Sequence, residues 1–164
     1  MQTTLIAVVA VVVVAVLGVA FLLLRSRAAP TCIVRPADIS RVFRAVASTK
    51  KVATFAILTF STPDRQTDDD AVSVQFSIED GRVGLDWVLV GPRNIEDQSR
   101  FTLLAVSLGH KPQLKERNKV RYLRVVDGEI PALCAAVVSQ LYGLGGPTDQ
   151  MELIVEGIEW NHDA

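Results

Sequence analysis

The feature that most constrains this chain is an uninterrupted apolar run from Leu5 to Leu24, in which every residue is Ala, Val, Ile, Leu or Phe except Gly18. As a helix rising roughly 1.5 Å per residue, such a run spans about 30 Å, the thickness of a bilayer's hydrocarbon core. Lipid offers backbone amides no partner outside the segment, so a helix is nearly forced there even for a Val-rich sequence. The expectation is a single transmembrane anchor over residues 1–27 with its basic flank. A cleaved signal peptide is the alternative, with Ser26, Ala28 and Ala29 as the small residues of a cleavage site. It fits less well, because no Lys or Arg precedes the run and an h-region is only about 7–15 residues long. No small residues recur at i, i+4 and no ionisable group interrupts the run, so neither a GxxxG packing seam nor an ion path is expected.

All side-chain charges lie from Arg25 onward. The first of them form a basic collar: Arg25, Arg27, Arg35, Arg41 and Arg44 follow the run, and only the α-amino group precedes it. Positive flanks stay on the cytoplasmic side, which predicts a cytoplasmic soluble domain at the inner face of a cell membrane. The net charge of −1 conceals further blocks, acidic over residues 52–110, basic over 111–124 and acidic without any base from residue 125 on. Charged residues from 25 on occur at the usual density of a globular domain, so composition excludes a collagen, a disordered chain, a disulfide scaffold and a polytopic membrane protein. A high ratio of Arg to Lys with much Ala and Val is the usage of a GC-rich bacterium.

After a juxtamembrane linker over 28–35, periodicity predicts an α+β domain over 36–160. Pro36 to Ser48 reads as a helix with Ile39, Val42, Phe43 and Val46 on one face and Arg41 and Arg44 off it. Lys51 to Phe60 is a β-branched and aromatic run, followed by a polar loop from Pro63 to Asp70. Val72, Val74, Phe76 and Ile78 then alternate with polar residues up to Asp80-Gly81, a two-residue hairpin turn. That turn sets Glu79 opposite Arg82, Ile78 opposite Val83, Phe76 opposite Leu85 and Val74 opposite Trp87. The other face of this pair, with Gln75 and Asp86, should be wet or covered by something polar. Asn94 offers an N-cap for a helix whose stripe is Phe101, Leu104, Ala105 and Leu108, stopped by Gly109. A second hairpin around Asn118-Lys119 should place Glu116 beside Arg121. A third helix from about Glu129 to Tyr142 carries Ile130, Leu133, Cys134, Val137, Val138 and Leu141 on one stripe, and Met151 to Ile158 closes the domain as a strand before a frayed tail over 161–164. The order α-β-β-β-α-β-β-α-β with short turns predicts a largely antiparallel sheet with helices on one face.

That order, with Leu85-Asp86-Trp87 leading into one helix and Tyr122-Leu123-Arg124-Val125 leading into the last, resembles the fold of type III secretion chaperones and of the YbjN-like bacterial sensory transduction regulator domains. The resemblance covers about residues 36–145 and is one of element order, without a diagnostic motif. It implies a small, often dimeric, protein-binding module.

Residues for catalysis are few. His110 follows a helix-ending glycine and reads as part of a polar loop, since no Cys or acid stands at ligand spacing from it. His162 lies in the tail. Cys134 falls on a buried stripe, where a thiol acts as a small hydrophobe. Asp68-Asp69-Asp70 lacks the alternating ligands and glycine of a calcium loop. Gly143 to Pro147 follows a helix instead of opening one, so it cannot cradle a phosphate. No P-loop, nucleophile elbow or dinucleotide fingerprint is present. No catalytic residue, cofactor, metal or nucleic-acid partner is therefore expected. Lys111, Lys115, Lys119, Arg121 and Arg124 cluster on the second hairpin as a possible partner surface, or as a charged edge that resists aggregation. The reading is a single-pass, membrane-anchored protein-binding or adaptor domain, with lipid contacted through Leu5–Leu24 and a protein partner or a second copy as its target. An accessory subunit of a larger membrane complex is the alternative, and an enzyme is the least supported class.

Overall fold

The computed structural model describes residues 32–49, 51, 53–62 and 71–160. The expected anchor with Arg25 and Arg27, the Pro63–Asp70 loop and the tail with His162 lie outside the described residues. Among the described residues no helix is long and apolar enough to cross a membrane.

The domain is α+β. Its strands are β1 (Cys32–Val34), β2 (Phe55–Phe60), β3 (Val72–Glu79), β4 (Arg82–Val88), β5 (Gln113–Arg117), β6 (Val120–Val125) and β7 (Met151–Glu156). A 3-10 turn at Pro36–Asp38 leads into helix α1 (Ile39–Thr49); a short helix α2 (Pro92–Glu96) precedes α3 (Gln98–Ser107); and α4 (Ile130–Ala136) runs on into a π-helical turn, Val137–Leu141. The sheet order is β1-β7-β2-β3-β4-β6-β5, with every neighbouring pair antiparallel.

The hairpin registers follow from turn chemistry. Asp80 and Gly81 both adopt positive φ, as a tight two-residue turn requires, and Glu79 pairs with Arg82, Ile78 with Val83 and Phe76 with Leu85. Asn118 and Lys119 do the same in the second hairpin, setting Glu116 beside Arg121. Strand alternation then sorts the side chains. Ala56, Leu58 and Phe60 of β2, Val72, Val74, Phe76 and Ile78 of β3, and Leu85 and Trp87 of β4 are buried on the face that carries the helices. Ile39, Val42 and Val46 of α1 and Ile130, Leu133 and Cys134 of α4 meet them, with Phe43 set edge-on to Phe76 at 5.4 Å. Burial pushes the Cys134 thiol up to about 12, so it is a packing group without nucleophilic character.

Three elements depart from expectation. The linker expected over 28–35 ends sooner, because Cys32–Val34 join the sheet beside β7, with Cys32 opposite Leu153. Asn94 is not an N-cap. Gly91 holds that position for α2, while Asn94 is buried inside it, accepting from the Ser73 N–H at 3.1 Å and donating to the Ser73 carbonyl at 2.6 Å. Its amide thus stands in for a strand residue beyond the last β3–β4 pair, Gln75 with Asp86, and the buried Trp87 indole N–H bonds the Asn94 carbonyl at 2.8 Å. Finally, the helix expected over 129–142 widens to a π turn for its last residues.

Candidate functional site

The expected basic surface comes apart when the side chains are placed. Arg124 is not on it. At 2% exposure it lies on the helix-free face of the sheet, with both Nη groups hydrogen-bonded and Nε in an ion pair. Nη1 donates to Asp86 Oδ1 at 2.6 Å and Ser77 Oγ at 2.9 Å; Nη2 donates to the carbonyls of Arg82 at 3.0 Å and Ser77 at 3.3 Å; Nε stands 3.1 Å from Glu79 Oε2. Glu79 also accepts from Lys115 at 3.2 Å and the Tyr122 hydroxyl at 3.1 Å. Gly84 makes this possible, since a Cβ there would stand 2.8 Å from the Val125 carbonyl and 2.9 Å from Arg124 Cζ. The polar cover that Gln75 and Asp86 called for is therefore Arg124 itself. Burial raises the Asp86 carboxyl above its ordinary value against the pull of Arg124 and Ser77. For Glu79 burial is outweighed by the bonds from Lys115 and Tyr122 and the charge of Arg124, so its carboxyl sits low. A buried guanidinium with both Nη groups hydrogen-bonded and Nε paired with Glu79 is committed to the protein, which makes this cluster a cross-link between β3, β4 and β6. Lys111, Lys119 and Arg121 are exposed and Lys115 is half-buried. Alternation places Lys115 on the Arg124 side of the hairpin and Arg121 on the other, so they form no single patch.

A second buried cluster positions α3. Asp97, between α2 and α3, accepts from Arg93 Nε at 2.7 Å, Arg100 Nη1 at 2.9 Å and the Tyr142 hydroxyl at 2.9 Å. Burial pushes its carboxyl up, but bonds from Arg100 and Tyr142 and the charge and bond of Arg93 outweigh this and hold it below the ordinary value. Phe101 then stacks on Trp87 with centroids 4.8 Å apart. The helix is locked by its inner face, and its outer face is also apolar: Leu103 is 71% and Val106 57% exposed. Leu108 in the terminating turn is exposed too, although it was expected on the inward stripe, because Gly109 at φ +83° ends the helix there.

Beyond Leu108 a cleft of about 510 Å³ opens between this turn and α4, lined by His110, Gly128, Glu129, Ala132, Leu133, Ala136 and Gln140 among others. His110 stands in a loop, as expected, and is buried there beside the cleft. Its Nδ1 lies 2.8 Å from the Asp127 carbonyl, which can only accept, so Nδ1 carries a proton and the ring is held in one orientation. Gly128, at φ +71°, lets the backbone pass over the ring, where a Cβ would stand 2.8 Å from Cε1. Five of the eight large exposed apolar side chains among the described residues, Val90, Ile95, Leu103, Val106 and Leu108, belong to the segment that leads to this cleft. Sequence reasoning found the inward stripe of α3 and passed over Leu103 and Val106. Their signal was available as apolar residues outside the stripe of a helix that had one already.

The surface combines exposed apolar side chains with a concave, partly polar cleft. Its polar groups are one oriented imidazole, Glu129 and Gln140 at the cleft, beside an apolar ridge. Among the described residues no three His, Cys, Asp or Glu side chains are grouped to hold a metal ion. Set against known proteins, the chain matches no family model, no curated protein and no solved structure.

Proposed function

We propose that the chain is a single-pass, membrane-anchored adaptor whose α+β domain binds another protein along the outer face of α3 and the adjoining cleft. The observation that carries this reading is the pair Leu103 and Val106, one helical turn apart and open to solvent on a helix whose inner face is already satisfied. An apolar ridge beside a concave, half-open cleft suits an apolar helix or loop of a partner seated between α3 and α4. Arg100 and Lys111 border the ridge, which favours a partner with acidic flanks. The resemblance of the sequence's element order to that of type III secretion chaperones and YbjN-like domains supports the same class of function. The Leu5–Leu24 run supplies the anchor and the Arg collar its cytoplasmic orientation.

Photo-cross-linking from position 103 in native membranes tests the site. A discrete adduct is expected, lost in a Leu103→Glu/Val106→Glu variant that keeps its thermal transition. Cross-linking only to lipid, or an adduct that survives the double substitution, sinks the proposal. A reporter fused at the C-terminus that is active only outside the cytoplasm should stay silent.

A further inference from the structure

We propose that α1 turns its outer face to the bilayer, and that Arg35 and Arg44 bind the phosphates of anionic lipid headgroups. This rests on the Leu5–Leu24 run being an anchor. The inner positions of α1 are spent on the core, while Ser40, Arg44 and Ser48 are exposed on the outside, Arg35 is exposed ahead of the helix and Lys51 beyond it. Arg41, half-buried, lays its guanidinium 4.4 Å over the Trp160 ring. The helix contains no acid, and Asp38, immediately before it, accepts from the Arg35 backbone N–H at 2.9 Å. The opposite side of the domain has the opposite sign. Glu152 and Glu156 of β7 are exposed, and pairing with Thr59 and Phe55 puts them on the helix-free face of the sheet. An anionic surface therefore attracts the α1 side and repels the β7 side, which fixes an orientation as well as an affinity. Lipid is the occupant because of chain length: residues 25–31 alone separate the apolar run from β1, and they add Arg25 and Arg27. A tether of that length keeps the headgroups at high effective concentration, so weak contacts suffice. Each base near an anionic leaflet is worth about a fivefold shift in the docked population.

The test uses the full chain in nanodiscs of phosphatidylcholine, with or without phosphatidylglycerol, carrying a headgroup-labelled energy acceptor. Trp160, in contact with Arg41, is the donor, and a Trp160→Phe variant gives the contribution of Trp87 to subtract. Transfer should be greater in the anionic discs and fall in high salt. Arg35→Gln/Arg44→Gln should lower the docked-to-undocked ratio about 30-fold in the anionic discs and bring transfer to its neutral-lipid value. Lys111→Gln/Lys119→Gln, which removes the same charge from the hairpin, should leave it unchanged. Equal transfer in both lipids, or an equal loss from the hairpin variant, overturns the orientation while the anchor stands. Elution of the chain apart from the discs overturns the anchor and the orientation with it.

Discussion

Helices α1 and α3 lie on the same face of one sheet, and they are built on opposite plans. In α1 the apolar residues keep to one side, Ile39, Val42 and Val46 inward, with Ser40, Arg44 and Ser48 outward. In α3 they occupy both sides, Phe101 and Ala105 inward, Leu103 and Val106 outward. The means of attachment differ too. Apolar packing seats α1 on the core, whereas α3 is placed by an aromatic stack on Trp87 and by the buried ion cluster of Asp97 at its entrance. The outer face of a helix is set by what it meets, since its fold is already secured from within. On that logic a basic outer face suits headgroups and an apolar one suits a protein.

The largest effects should come from the inner faces. Phe101→Ala removes the stack on Trp87 and should cost about 3–5 kcal/mol in denaturant unfolding. Ile39→Ala in α1 should cost about 2–5 kcal/mol. A loss below about 1 kcal/mol at either site would mean that the helix in question is not held from within, and the contrast would collapse.

Asp97→Asn separates the two modes of attachment. Removing the carboxylate from this buried ion cluster takes away the charge that Arg93, Arg100 and the Tyr142 hydroxyl share and should cost about 3 kcal/mol at neutral pH. Because the folded-state carboxyl is held below its ordinary value, its stabilisation is present above the unfolded pKa and disappears as pH falls through the folded one. Unfolding followed from pH 6 to pH 2 should accordingly be less pH-dependent in the Asn variant than in the wild type. Parallel curves would show that the cluster does not hold α3. Asp86, raised by burial, has the opposite sign: its contribution is full below the unfolded pKa and shrinks as pH climbs through the folded one.

The smallest effects belong to the outer faces. Arg44→Ser and Leu103→Ser should each stay within about 0.5 kcal/mol of wild-type stability. They should part in behaviour, since only Leu103→Ser should change retention on a hydrophobic-interaction column or the yield of cross-linked partner. A stability loss above about 1 kcal/mol for Leu103→Ser would mean that the ridge is part of the fold and not a surface.

How much of this was legible in the sequence depends on how far apart the partners lie. The Asp80-Gly81 and Asn118-Lys119 registers were readable because a two-residue turn dictates its own pairs. The inward stripes of α1 and α4 were readable from periodicity. Strand β1 was not: three residues show no alternation, and their partner is β7 at the other end of the domain. Arg124 looked like one more cation on a charged hairpin because its acids, Asp86 and Glu79, sit on strands 38 and 45 residues earlier. His110 was readable as a loop residue, but not as a buried one, because nothing local shows that the Asp127 carbonyl and Gly128 close over it. The candidate site suffered the same way, since exposure of Leu103 depends on which side of α3 meets Trp87.

The place of β7 in the sheet has a consequence for synthesis. Strand β7 is inserted between β1 and β2, although it is made long after both, pairing with β1 on one side and β2 on the other. Until residues 151–156 leave the ribosome, β1 has no neighbour and β2 presents a bare edge. At about 5–20 residues per second the chain waits several seconds in that state after β2 is complete. A nascent chain stalled before Met151 would therefore expose β2 as a template for aggregation, and β7 serves as the keystone that joins β1 to the rest of the sheet.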